Sequence, residues 1–166
     1  VNYILGAIMT SQVNINELVP SFRMPATSNI DFQLSDFIGK NIVLYFYPKD
    51  STPGCTTQGM QFRDHFEAFK AQNAVIFGIS RDSIKSHENF KAKFSFPFEL
   101  LSDTEEQACV LFDVIKLKNM YGKQVRGIER STFIIDKNGV LVKEWRKVKV
   151  NGHVEEVLSF IQSQTS

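Results

Sequence analysis

Cysteine is scarce in this chain: Cys55 and Cys109 are the only two in 166 residues. That excludes a disulfide scaffold and a four-cysteine zinc site, and so few cysteines fit a reducing compartment. A strong charge of either sign is missing too. Nineteen Lys and Arg stand against 18 Asp and Glu, a formal net charge of +1, which leaves no electrostatic footprint for nucleic acid or an anionic membrane. Long apolar runs are absent. The opening VNYILGAIM is far too short to span a bilayer. With no basic residue before Arg23, it also lacks the charged start of a secretory signal. Met9 offers an alternative start, which would make residues 1–8 an extension, and the expected location is the cytoplasm. The three histidines, His65, His87 and His153, have no partner at metal-ligand spacing. They are expected at the surface or as caps, so no metal and no cofactor is expected. No repeat, low-complexity tract or linker interrupts the chain.

What is present suits one soluble domain. The apolar share is 43% and the charged share 22%, and a chain of this length can bury a core without staples. Fifteen phenylalanines point to aromatic packing in a sheet core. The single Trp145 is read as packing.

Along the chain, VPSFRMPATSN reads as irregular or edge-like because Pro20 and Pro25 cannot donate to a ladder. In FQLSDFIGKN, Ser35 can cap a helical turn that Gly39 ends. NIVLYFYP is a continuous apolar run stopped by Pro48, a buried central strand. KDSTPGC is a loop. From Thr56 to Ala71 the spacing of Met60, Phe62, Phe66 and Phe69 predicts a helix. NAVIFGIS is a second buried strand. RDSIKSHENFKAKFS is a helix capped by Asp82 or Ser83. FPFELLSD is a short strand and turn, and TEEQACVLFDV a helix. ERSTFIID and VLVKEWRKV flank the turn KNG as a hairpin, and HVEEVLSFIQ is an amphipathic helix. The basic stretch of Lys143, Arg146, Lys147 and Lys149 is expected to be a solvated edge that discourages strand pairing. Alternating strands and helices followed by a hairpin predict a mixed α/β sheet with helices on both faces.

The candidate site is YPKDSTPGCTTQ, which joins the carboxyl end of a buried strand to the start of a helix, the edge where open α/β sheets collect ligands. Cys55 falls in the first helical turn, where free N–H groups and the helix dipole favour an anion, and the thiolate is the nucleophilic form of cysteine. The bland alternative is a buried cysteine acting as a small hydrophobe. Thr52 can accept and donate hydrogen bonds and so orient an incoming oxygen. Pro48 and Pro53 stiffen the loop. A guanidinium is needed to stabilise charge at the sulfur; Arg63 and Arg130 are both candidates.

The segment YFYPKDSTPGCTTQ resembles the active-site segment of peroxiredoxins, with Pro48, Thr52 and Cys55 at their spacing. FRD at Phe62 to Asp64, IFGIS before RDS, FELLSD and GIERSTFIID extend the likeness to the peroxiredoxin Q, or bacterioferritin comigratory protein, branch. The resemblance runs from about Val19 to near the C-terminus. It implies a thioredoxin-like domain over residues 19–166, with residues 1–18 as an N-terminal extension. It also implies reduction of hydrogen peroxide and organic hydroperoxides. By motif, Cys55 is the peroxidatic cysteine, Thr52 positions peroxide, Pro48 shields the pocket and Arg130 is the active-site arginine. Gln58 stands where relatives carry Glu or Gln and would hold the arginine. Tyr45, Pro53 and Gly54 would line the site, and Arg63 becomes structural.

One departure matters. Many members of this branch carry a resolving cysteine five residues after the peroxidatic one; here that position is Met60. Cys109 is then either a packing residue or a resolving cysteine that meets Cys55 after local unfolding. The expected mechanism is a one-cysteine cycle through a sulfenic acid. Thioredoxin, glutaredoxin or a small thiol would be the reductant, and the protein would be a monomer. A thioredoxin-type reductase is disfavoured because Thr52 occupies the first position of Cys-x-x-Cys. The loop likewise argues against a glutathione-linked transferase. A non-enzymatic redox sensor or holdase using Cys55 is the remaining alternative.

Overall fold

The computed structural model describes residues 12–165, so the expected extension from an alternative start at Met9 lies outside the described residues. Among the described residues there are nine strands and five α-helices. The strands are β1 (Arg23–Ala26), β2 (Ile30–Gln33), β3 (Asn41–Phe46), β4 (Ala74–Ser80), β5 (Glu99–Ser102), β6 (Ile115–Met120), β7 (Lys123–Ile128), β8 (Ser131–Ile135) and β9 (Leu141–Trp145). The helices are α1 (Pro53–Asp64), α2 (Phe66–Ala71), α3 (Ile84–Phe94), α4 (Gln107–Leu111) and α5 (His153–Thr165). Seven strands form one sheet in the order β2-β1-β5-β4-β3-β8-β9. β3, β4 and β5 run parallel, and the remaining pairs are antiparallel.

The central strand explains the two-layered core. β3 lies between β4 and β8, and side chains alternate across a strand. Ile42, Leu44 and Phe46 therefore join one core with Phe32, Phe77, Cys109, Phe112 and Phe133. Val43, Tyr45 and Tyr47 join the other with Cys55, Phe62, Phe69, Phe90 and the α5 residues Val154, Val157 and Ile161. Burial on both faces is why this strand reads as an unbroken apolar run. Each fully buried Phe contributes about 1.5–3 kcal/mol; eleven of the fifteen phenylalanines are buried in these two cores and the other four pack against them, in ring-contact chains such as Phe22–Phe32–Phe77 and Phe90–Phe96–Phe98.

Several expectations change in detail. The stretch with Pro25 is a strand; β1 meets β5 only at Ala26↔Leu101, so most of that edge has no ladder partner and a proline is tolerated. The helix expected over 56–71 starts at Pro53 and breaks at His65, whose backbone (φ −102°, ψ 8°) ends α1 and whose Nδ1 sits 2.9 Å from Gln61 O, the capping role expected of it. Ser83 caps α3 by accepting from Ser86 N. The helix expected over TEEQACVLFDV contracts to α4. Residues 115–128, for which no element was expected, form a separate β6–β7 hairpin. Tyr121 and Gly122 turn it with positive φ (53° and 79°), as a two-residue hairpin turn requires.

β9 is the sheet edge, but Arg146 is not a solvated charge. Its Nη1 and Nη2 donate to Asp113 O (2.7 Å) and Phe112 O (2.9 Å), and the guanidinium lies over the Phe133 ring. Nor is His153 at the surface. It is 5% exposed beside Thr132 Oγ1 at 2.8 Å, and burial pushes it down to about 4, against the opposing pull of Glu156. Residues ahead of Val19 also take part in the packed structure: Val13 lies in the core, and Leu18 bridges Val140.

Candidate active site

β3 delivers the chain to the carboxyl edge of the sheet, where Tyr47 N still bonds Ile79 O at 3.0 Å. Pro48, half-buried, opens the loop. Ser51 takes φ +64°, and Thr52 is the N-cap residue of α1, with Pro53 at the first helical position, where its missing N–H is harmless. Thr52 does not cap with its side chain; its Oγ1 donates to Lys49 O at 2.8 Å and keeps its lone pairs for another donor. Cys55 is the third residue of α1, 2% exposed.

Of the two arginine candidates, the structure brings Arg130 to the sulfur. Its Nη2 lies 3.4 Å from Cys55 Sγ, and its Nη1 donates to Gln58 Oε1 at 2.5 Å. Gly54 makes room for it: a Cβ there would stand 3.1 Å from Nη2. Arg63 is engaged elsewhere, with Phe94 O and Asp64. Gln58 is fully buried, and its Nε2 has no partner. Tyr45 is 1% exposed with an unpartnered hydroxyl. Burial pushes that hydroxyl well above its ordinary value, helped by the nearby charges of Cys55 and Asp50 and opposed by Arg130. Its ring crosses Gly78, where a Cβ would meet Tyr45 Cζ at 2.8 Å.

Cys109 is not in this site. It is fully buried in the core on the opposite face of the sheet from Cys55. Burial drives its thiol far up, and the Asp103 carboxylate adds to the shift.

One set of residues was not anticipated. His87 was expected at the surface or as a cap; it is 0% exposed beneath the loop. Its Nδ1 lies 2.7 Å from Asp50 Oδ2, and its Nε2 lies 2.9 Å from Leu101 O. Asp50 also accepts from Tyr47 Oη (2.6 Å) and Ser86 Oγ (2.7 Å), and its N donates to Asp82 Oδ2 (2.9 Å). Both partners of the His87 ring are acceptors, so both ring nitrogens must donate if Asp50 is ionised. Asp50, Asp82 and His87 bring their ligand-type atoms within 4.8 Å of one another, and here the His87 ring and the Asp50 carboxylate bond to each other and to their neighbours. No spacing in the sequence links His87 to Asp50; the pairing exists only once α3 packs under the loop.

The layout is that of a thioredoxin-like fold presenting a thiol at a helix N-terminus, with a guanidinium beside it. A family model, the AhpC/TSA family, matches residues 15–144. Peroxiredoxin Bcp of Bacillus subtilis is 50% identical over 153 residues, covering 92% of this chain and 98% of that protein. A cysteine-to-serine mutant of PrxQ from Xylella fastidiosa superposes with a TM-score of 0.89 at 43% identity, covering 94% of this chain and 99% of that one. The Xanthomonas campestris bacterioferritin comigratory protein, whose structure is described in terms of alkyl peroxide reduction activity, matches with a TM-score of 0.84 at 49% identity over 87% of this chain and 92% of its own. The chain belongs to the AhpC/TSA family, as a thiol-dependent peroxidase of its peroxiredoxin Q, or Bcp, branch.

Proposed function

We propose that the protein reduces hydrogen peroxide and organic hydroperoxides by a one-cysteine cycle. The Cys55 thiolate attacks one peroxide oxygen; the S–O bond forms as the O–O bond breaks, and water or alcohol leaves with a proton. Arg130 and the N–H groups of the first turn of α1 stabilise the charge that develops on the leaving oxygen. Thr52 orients the peroxide, Gln58 holds Arg130, and Gly54 admits the guanidinium. Pro53 starts the helix, while Pro48 and Tyr45 wall the pocket. An external thiol then attacks the sulfenic acid, and a second thiol releases Cys55.

The observation that carries this reading is the placement of the two cysteines in cores on opposite faces of one sheet. A disulfide needs Cα atoms within about 7 Å, so Cys109 would have to leave its core and pass the sheet. The reductant is a thioredoxin, a glutaredoxin or a small thiol, and the enzyme acts as a monomer in the cytoplasm. No helix among the described residues is long and apolar enough to cross a membrane. The test is intact mass after one equivalent of hydrogen peroxide with a sulfenic-acid trap present. An adduct on Cys55 with Cys109 free is expected, Cys109→Ser should turn over normally, and Cys55→Ser should be inactive. A Cys55–Cys109 disulfide would overturn the one-cysteine cycle.

A further inference from the structure

Beyond the Ile115–Ile128 pair at its base, which joins the core, the β6–β7 hairpin has no role in the fold described above. It stands apart from the seven-stranded sheet, and an isolated two-stranded ribbon is marginal on its own. It carries Leu117, Met120, Tyr121 and Val125 in the open, with Tyr121 99% exposed. Residues 115–128 hold Lys116, Lys118, Lys123 and Arg126 and not one Asp or Glu, in a chain whose net charge is only +1. Exposed apolar residues ringed by charge of one sign mark a contact surface.

Its position gives that surface a task. β7 runs straight through Glu129 into Arg130, whose Nη2 is 3.4 Å from Cys55 Sγ. On β6, the Lys118 ammonium donates to Ile128 O at 2.6 Å. Burial pushes Lys118 down, and it lies close enough to Glu129, Arg130 and Cys55 to feel all three charges. The base of the hairpin is fixed to the body: Arg126 and Arg81 both clasp Glu106, and Lys116 pairs with Asp113 at 3.2 Å. Those anions satisfy the base and leave the tip, with Tyr121 and Lys123, uncompensated.

We propose that the β6–β7 hairpin is the docking surface for an acidic dithiol protein that reduces Cys55. The inference rests on the one-cysteine reading, in which the reducing thiol must come from outside, and Cys55 at 2% exposure needs a partner seated close to it. The partner's contact face carries Asp or Glu toward Lys123 and apolar atoms toward Tyr121 and Met120. Its first thiol attacks the sulfenic sulfur; an S–S bond forms, the S–O bond breaks, and the hydroxyl leaves with the thiol proton as water. Its second thiol attacks the mixed disulfide, returning Cys55 as thiolate and leaving the partner as a disulfide. The dithiol supplies both electrons.

The test compares peroxide turnover driven by an acidic thioredoxin with turnover driven by dithiothreitol, in wild type and in Tyr121→Ser/Lys123→Glu. Neither position belongs to the catalytic machinery. With thioredoxin, kcat/KM should fall about tenfold in the double variant, and wild-type kcat/KM should drop several-fold between about 50 and 300 mM salt. With dithiothreitol, the two proteins should agree within about twofold. Unchanged thioredoxin kinetics in the variant overturn the proposal. So does an equal loss with both reductants, or wild-type turnover with dithiothreitol but none with thioredoxin. Failure of the underlying cycle looks different: one equivalent of peroxide then leaves a Cys55–Cys109 disulfide in the wild type before any reductant is added.

Discussion

Replacing His87 by leucine tests whether the buried network beneath the loop is an ion pair. The side chains of His87 and Asp50 are 0% and 2% exposed. The substitution keeps an apolar residue of similar bulk but strands the Asp50 carboxylate, leaving only the hydroxyls of Tyr47 and Ser86 as side-chain donors. Breaking a buried pair from one side costs about 3–5 kcal/mol. In a domain of this size each kcal/mol moves Tm by about 2–4 °C, so His87→Leu should lower Tm by roughly 6–20 °C in a circular-dichroism melt. Adding Asp50→Asn removes the stranded charge and should recover more than half of that loss, a coupling between contacting groups. A single variant that loses less than about 2 °C, or a double variant whose loss is the sum of the singles, refutes the ion pair.

Three further outcomes follow from particular contacts. Arg130→Lys loses the fork that reaches Gln58 and Cys55 together, so kcat/KM for hydrogen peroxide should fall about 100-fold or more, with the melt unchanged to within a few degrees. Gly59→Ala puts a Cβ 2.4 Å from Phe96 Cζ; the stacked Phe96–Phe98 pair must shift, and urea unfolding should show a loss of about 1–3 kcal/mol. His153 is held down at about 4 by burial, against an ordinary value of about 6.5. Between those values the unfolded chain binds the proton and the folded chain does not, so stability should decline as pH falls through that window; His153→Gln should flatten the slope, and an unchanged slope would show that another group sets it.

Local chemistry carried most of what the sequence made legible. The strand β3 and the placement of Cys55 and Thr52 at the strand-to-helix turn are decided within one stretch of a dozen residues, by apolar patterning and proline, although the helix itself begins three residues earlier than its spacing predicts. The KNG hairpin is local as well. What escaped was long-range. His87 and Asp50 are 37 residues apart, and nothing about either says that the α3 histidine will be buried under the loop. Arg146 looked like one of four edge cations, because its acceptors, two carbonyls at the end of α4, belong to the backbone and have no residue-type signature. The β6–β7 hairpin lacks the alternating apolar face of a core strand, since neither of its faces packs into the core over most of its length.

The choice between one and two working cysteines shows where local reading ends. The sequence shows that Met60 closes the intrahelical route and leaves Cys109 as the other thiol, but it does not say on which side of the sheet Cys109 falls. That depends on how the chain crosses from β5 into α4. The structure puts α4 with the Ile42, Leu44 and Phe46 face, while α1 covers the Val43, Tyr45 and Tyr47 face. The alternation of a single strand thus separates the two thiols. For Cys109 to resolve Cys55, it would have to leave a core it shares with Phe112 and Phe133 and give up the Cys109 N–Asp103 bond of 2.8 Å. That separation is the observation on which the proposed one-cysteine cycle stands.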